Sequence, residues 1–208
     1  MSSIYSYVVR YDSGFAPNPF YGYCTLATCK PNIRKQAQVG DWVVGCASNA
    51  RGIRRGGHLV YAMRVTETMS FDAYSVDPRF EKKKPFRKGS RKQSCGDNIY
   101  FRDAPDANWQ QRDSFHSLEN GMLNLAHIRR DTGVNRVIIS DDFVYFGGNG
   151  PKIPSNLKSV AGKALCHSGR GSSLFDDFEL IQGLEQWIRN FQVSGYQESP
   201  YEWITLRR

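Results

Sequence analysis

The stretch Gly96-Asp97-Asn98-Ile99-Tyr100 places an acid, an amide and a phenol at the head of an apolar pair. Two chemistries suit that pattern. Asp and Asn bond their own backbone to make turns, and they also read a nucleobase, the amide bidentately and the carboxylate by accepting from an exocyclic amine. A second group lies in Asp12-Ser13-Gly14-Phe15-Ala16-Pro17-Asn18-Pro19-Phe20, a Gly- and Pro-rich loop holding Asp12, Phe15 and Asn18. Loops of this kind, hung between rigid strands, often carry binding groups. For covalent or proton-transfer chemistry the candidates are Asp12, Cys24 and Asp97, with Lys30 available as a base if burial lowers its pKa. No spacing among them compels catalysis. His127, Arg129, Arg130 and Asp131 lie close together, but a His and an Asp at that spacing make no triad by themselves.

The cations are concentrated. Between Arg79 and Lys92 there are eight Lys/Arg against Glu81 alone, a net +7 out of +8 for the whole chain. Such a run is either a solvated loop or an arm that contacts phosphates without reading sequence. Lys82, Lys83, Lys84, Arg87 and Lys88 are its expected phosphate contacts, and Phe80 and Phe86 among them are suited either to stacking unpaired bases or to pinning the arm down. A Gly-rich loop adds Arg51, Arg54 and Arg55, whose forked guanidinium groups suit phosphate. Its spacing is not that of a phosphate-binding GxxxxGK[ST] loop.

Regular elements must position these groups. Lys30 to Gln38 reads as a basic helical turn opened by Pro31, broken at Gly40-Asp41. Trp42-Val43-Val44 and Leu59 to Val65 follow as two strands that pair with each other. Ile4 to Tyr11 alternates as a first strand, and Tyr21 to Ala27 is extended. A short helix capped by Thr68 or Ser70 precedes the basic run. Leu118 to Arg130 includes a helix. Val134 to Ser140 and Phe143 to Phe146 are strands joined by a turn at Ser140-Asp141-Asp142. Asp176 to Asn190 is an amphipathic helix burying Phe178, Leu180, Ile181, Leu184, Trp187 and Ile188. Tyr201 to Ile204 is a docked tail.

With 208 residues, 40% hydrophobic and 13% aromatic, the chain can bury a real core. No apolar run reaches the ~20 residues that span a bilayer, and the N-terminus lacks the features of a signal peptide, so a soluble cytoplasmic protein without a membrane partner is expected. Five irregularly spaced cysteines point to reduced thiols rather than a disulfide framework. With no CxxC pair, neither zinc nor another metal or cofactor is expected. The basic balance points to a polyanionic partner.

Taken together, residues 7–20, Cys24-Thr25-Leu26-Ala27, Lys30-Pro31-Asn32-Ile33-Arg34, Val39 to Gly45, Gly96 to Tyr100 and Phe143 to Gly147 resemble the nucleotide modification associated domain 2 family. The Val-Gly-Asp-Trp-Val-Val strand after a basic turn is also similar to the PUA-like barrels, including the EVE and ASCH branches. The resemblance implies an α+β fold, a small mixed β-barrel with peripheral helices over residues 1–155, and a helical extension over 156–208 packed on the same domain. It implies binding to nucleic acid (DNA, RNA or a free nucleotide), with recognition of a modified or flipped base and other modification or restriction components as partners. The alternative is an enzyme, a hydrolase or base-modifying activity, acting on a modified nucleobase in the same pocket. On this reading the nucleotide-binding set is Asp12, Phe15, Asn18, Tyr23, Lys30, Arg34, Trp42, Asp97, Asn98 and Tyr100.

Overall fold

A computed structural model describes residues 2–49, 54–166, 169 and 171–205. Arg51 lies outside the described residues. The chain divides into two compact units that interleave in sequence: Met1–Ser13, Ala37–Thr66 and Ser140–Arg208 form the first, Gly14–Gln36 and Glu67–Ile139 the second. The division follows the sheets.

In chain order the elements are β1 (Ile4–Val9), β2 (Cys24–Leu26), α1 (Pro31–Gln36), β3 (Trp42–Ala47), β4 (Leu59–Arg64), β5 (Glu67–Met69) and α2 (Phe71–Val76). A 3-10 helix (Pro78–Lys83), α3 (Arg91–Ser94), β6 (Tyr100–Phe101), β7 (Gln110–Gln111), α4 (Leu125–Thr132), β8 (Val137–Ser140) and β9 (Asp142–Tyr145) follow. The chain continues with β10 (Ser172–Phe175), α5 (Phe178–Arg189), β11 (Gly195–Tyr196) and α6 (Tyr201–Thr205). Among the described residues no helix is long and apolar enough to cross a membrane.

The first unit is built on a six-stranded sheet in the order β10-β1-β3-β4-β9-β11. The expected pair β3 and β4 is antiparallel, with Trp42 opposite Arg64 and Val44 opposite Ala62, while β1 lies parallel to β3. At Gly45 a side chain has no room, because a Cβ would fall 2.3 Å from the Tyr61 ring. The 3.6-residue period of α5 buries Leu180, Ile181, Leu184 and Ile188 on a core that includes Ile4, Trp42, Val44, Ala62 and Val144. Phe178 begins the helix outside that stripe and is 70% exposed, against expectation.

The expected closed barrel is not found. The six-stranded sheet has β10 and β11 as free ends, giving a mixed α/β protein with an open sheet. The Ser140-Asp141-Asp142 turn exists, but the strands it joins do not form a hairpin. β9 pairs with β4 and β11, whereas β8 pairs with β2 and β5 in a separate three-stranded sheet. The strand that a hairpin would add is therefore absent from the larger sheet.

The cysteine expectation is corrected too. Cys46, at the end of β3, is disulfide-bonded to Cys166, with Cα atoms 5.8 Å apart across a sequence separation of 120. The fold brings the pair together, and spacing along the chain carries no trace of it. Cys24, Cys29 and Cys95 are thiols outside that bond.

In the second unit, the core gathers Phe71, Tyr74, Phe80, Tyr100, Ile128, Val137 and Ile139. Ser70 caps α2 by accepting from the Ala73 N–H at 3.1 Å. Phe80 is fully buried here, so of its two expected roles it has the apolar pin.

Candidate active site

Cys29 stands between β2 and α1, where Pro31 opens the helix. Cys29 and Lys30 have φ of 59° and 40°, two consecutive left-handed residues that turn the chain sharply. The Cys29 Sγ lies 3.6 Å from His116 Nε2. The other ring nitrogen, Nδ1, lies 2.9 Å from Asp131 Oδ2 in the last turn of α4. A carboxylate can only accept, so Nδ1 carries the proton and Nε2 of the neutral ring is left to accept from the thiol. Thiol, imidazole and carboxylate are therefore aligned in the order that activates a nucleophile.

The surroundings hold this line in place. Asp131 is fully buried and also accepts from the Tyr100 hydroxyl at 2.8 Å, from Arg130 Nε at 2.9 Å and from the Cys29 N–H at 3.2 Å. Arg34, wholly buried, donates to the carbonyls of Cys29 (3.0 Å), Val134 (2.7 Å), Arg136 (2.6 Å) and Asp131 (2.6 Å), tying the thiol's turn to the end of α4. Phe15 sets its ring edge against His116 at 4.8 Å, and His127 stands 4.4 Å away on centroids.

Electrostatics favour the charged pair. Burial raises the Asp131 carboxyl's pKa, but hydrogen bonds from His116 and Arg130 outweigh it and hold the group well below the usual carboxylate range. Burial lowers that of His116, yet Asp131 and Cys29 together hold it above its ordinary value. His127 is displaced the other way, by burial first and then by the charges of His116 and Arg130. An imidazolium beside a sulfur and a buried carboxylate is thus stabilised, as a proton-accepting base requires.

The structure gathers Phe15, Arg34 and Tyr100 of the sequence candidates around this line, with Lys30 next to Cys29 in the chain, and places the others elsewhere. Asp97, Asn98 and Asn18 are sealed in the second unit and bond inward, so they correct the base-reading expectation. Asp97 accepts from the Thr25 and Tyr74 hydroxyls at 2.7 and 2.8 Å. Asn98 Nδ2 donates to the carbonyls of Tyr74 and Phe80 at 3.0 and 3.3 Å, and Asn18 Nδ2 to those of Gly14 and Cys95 at 3.2 and 2.8 Å. Tyr100 serves Asp131. Lys83 is fully buried, not a phosphate contact: its Nζ donates to the Asn18 carbonyl (3.0 Å), Asn18 Oδ1 (2.7 Å), the Tyr23 carbonyl (2.9 Å) and Thr25 Oγ1 (3.0 Å). Burial pushes the Cys24 thiol's pKa up, which makes it a poor nucleophile. Tyr23 packs its ring on Phe80 at 5.3 Å. Lys30 follows Cys29 in the chain, and burial lowers its pKa.

The remaining candidates belong to the first unit. Trp42 is 1% exposed in the sheet core and offers no wall to a ligand base. Asp12 accepts from the Tyr145 hydroxyl and from the Tyr201 N–H (2.8 Å) that begins α6. Its pocket, shared with Arg10, Arg55 and Glu202, has a free volume of about 20 Å³, room for a water and not for a base. Arg54 is exposed, and Arg55 donates to the Gly150 carbonyl at 2.7 Å. In the basic segment Lys84 pairs with Glu81, while Lys82, Arg87 and Lys88 are exposed.

Sequence reasoning missed Cys29 and His116. Both lie in irregular segments, 87 residues apart. The one available signal was the Cys-Lys-Pro turn before a helix, which presents a side chain at a sharp bend.

Fold and site together define a mixed α/β protein with an aligned thiol, imidazole and buried carboxylate. The sequence matches nucleotide modification associated domain 2 over residues 1–207, and the chain belongs to that family. Family membership links it to nucleic-acid modification. Neither curated proteins nor solved structures yield a match.

Proposed function

We propose that the protein is an enzyme of nucleic-acid modification whose nucleophile is the Cys29 thiol. The observation that carries this reading is the line Cys29 Sγ, His116, Asp131, at 3.6 and 2.9 Å. His116 Nε2 takes the thiol proton as sulfur forms a bond to an electrophilic carbon of the substrate. Asp131 stabilises the resulting imidazolium, which returns the proton to the group that departs. Arg34 is a positioning residue: it acts on the reaction through the carbonyls of Cys29 and Asp131.

Reading of a modified or flipped base without chemistry is the weaker function here, because the Asp97 carboxylate and the Asn98 amide nitrogen bond inward and both residues are fully buried. Contact with a polyanion is retained, since Lys82, Arg87 and Lys88 remain at the surface. The test is incubation with DNA, unmodified and carrying modified bases, followed by mass spectrometry of protein and product. A protein–DNA adduct or a change of DNA mass is expected with the native protein and with Cys24→Ser, and neither with Cys29→Ser. Equal products from Cys29→Ser would remove the thiol from the reaction.

A further inference from the structure

The second unit carries a surface that the thiol chemistry does not use. Phe86, Phe115, Leu118 and Met122 are large apolar side chains exposed by 56, 45, 49 and 59%. Two of them lie in or beside the basic segment or the histidine. The Arg87 guanidinium stands 4.4 Å over the Phe115 ring. Phe115 meets the edge of Phe15 at 5.7 Å, and Phe15 meets His116 at 4.8 Å. A continuous line of ring contacts therefore runs from the cationic segment to the imidazole that faces Cys29.

We propose that the exposed ring of Phe115, with Arg87 over it and the exposed Phe86 and Lys88 next to Arg87 in the chain, is a platform for an unpaired polynucleotide strand, which it delivers to Cys29. The inference rests on Cys29 as nucleophile and adds the substrate class. Charge complementarity chooses the occupant. Lys83 is buried, and Arg79, Lys84 and Arg87 have acidic partners in Glu67, Asp77, Glu81 and Asp113, but Lys82, Arg87 and Lys88 are exposed and the segment keeps a net positive charge at the surface. Flat exposed rings set among cations suit a partner that is both polyanionic and flat-faced. Unpaired bases have exposed π-faces and phosphates at each step, whereas a duplex hides its base faces in the stack. A purely electrostatic partner would leave the exposed rings unused.

The test is fluorescence anisotropy with a labelled short oligothymidylate, an oligouridylate and a matched duplex over a salt series, using the full chain. Either single strand should bind at least about tenfold tighter than the duplex. Phe115→Leu, which keeps apolar packing and removes the ring, should weaken strand binding about tenfold with the salt slope unchanged. Lys88→Ala, at an exposed position, should instead lower the slope by about 0.7. Bound oligothymidylate should also protect Cys29 from iodoacetamide. A duplex preference, or full Cys29 alkylation under saturating strand, would overturn the platform. Neither result bears on whether the thiol is a nucleophile, which the dependence of Cys29 alkylation on His116 decides separately.

Discussion

His116 Nδ1 lies 2.9 Å from Asp131 Oδ2, and the pair converts a half-buried cysteine into a candidate nucleophile. Each partner moves the other's pKa in the direction that favours the ion pair: the carboxyl is held down and the imidazole up. His116→Gln should therefore slow alkylation of Cys29 by iodoacetamide at neutral pH by about tenfold or more. Peptide mass spectrometry assigns the label to Cys29, as distinct from Cys24 and Cys95. An unchanged rate would mean that the imidazole does not activate the sulfur.

Lys83 tests a different consequence of burial. Removing its ammonium takes a buried, charged donor away from the Asn18 and Tyr23 carbonyls, Asn18 Oδ1 and Thr25 Oγ1. Lys83→Ala should cost about 3–5 kcal/mol in urea unfolding. Lys82→Ala, at a surface position, should stay within about 0.5 kcal/mol. If Lys83→Ala proved neutral in stability and weakened nucleic-acid binding instead, the residue would belong to the arm after all.

Asp12 gives the first unit a pH dependence. Burial is the main reason its pKa is raised from 3.8 to about 6, opposed by the bonds from Tyr145 and Tyr201, with Glu202 adding to the rise. The folded state then binds more protons than the unfolded state between those values, so this group's contribution falls as pH rises from about 4 to about 6. The total is on the order of 3 kcal/mol, fully present as a penalty above that window. Asp12→Asn should flatten that part of the stability profile relative to the native protein. Two parallel profiles would show that Asp12 does not titrate differently on folding.

The Cys46–Cys166 bond closes a long stretch of chain. Cys166→Ser should lower stability by about 2–4 kcal/mol in denaturant unfolding under oxidising conditions. Reductant should bring the native protein down to the level of the variant and leave the variant unmoved. No difference between them would mean that the bond does not constrain the unfolded chain.

Several elements were legible because they are local. The β3–β4 pair shows in two apolar runs on either side of a Gly-rich loop, α5 in its period, and α2 in the Ser70 cap. The basic segment was legible as charge and not as geometry, since one of its eight cations turned inward to become a buried keystone. Asp97, Asn98 and Asn18 were correctly seen as polar groups in a special place. What they serve was misread, because a side chain's type does not say whether it faces solvent or a backbone carbonyl.

The sequence by itself determined the family, the local elements and the concentration of positive charge. These depend on neighbours within a few residues, or on motifs that survive as strings. Tertiary structure alone decided that the larger sheet stays open and that Cys46 meets Cys166. It also decided that Cys29, His116 and Asp131 converge. Each of these depends on which distant segments pack together, and that packing is set by the whole core rather than by any stretch of chain.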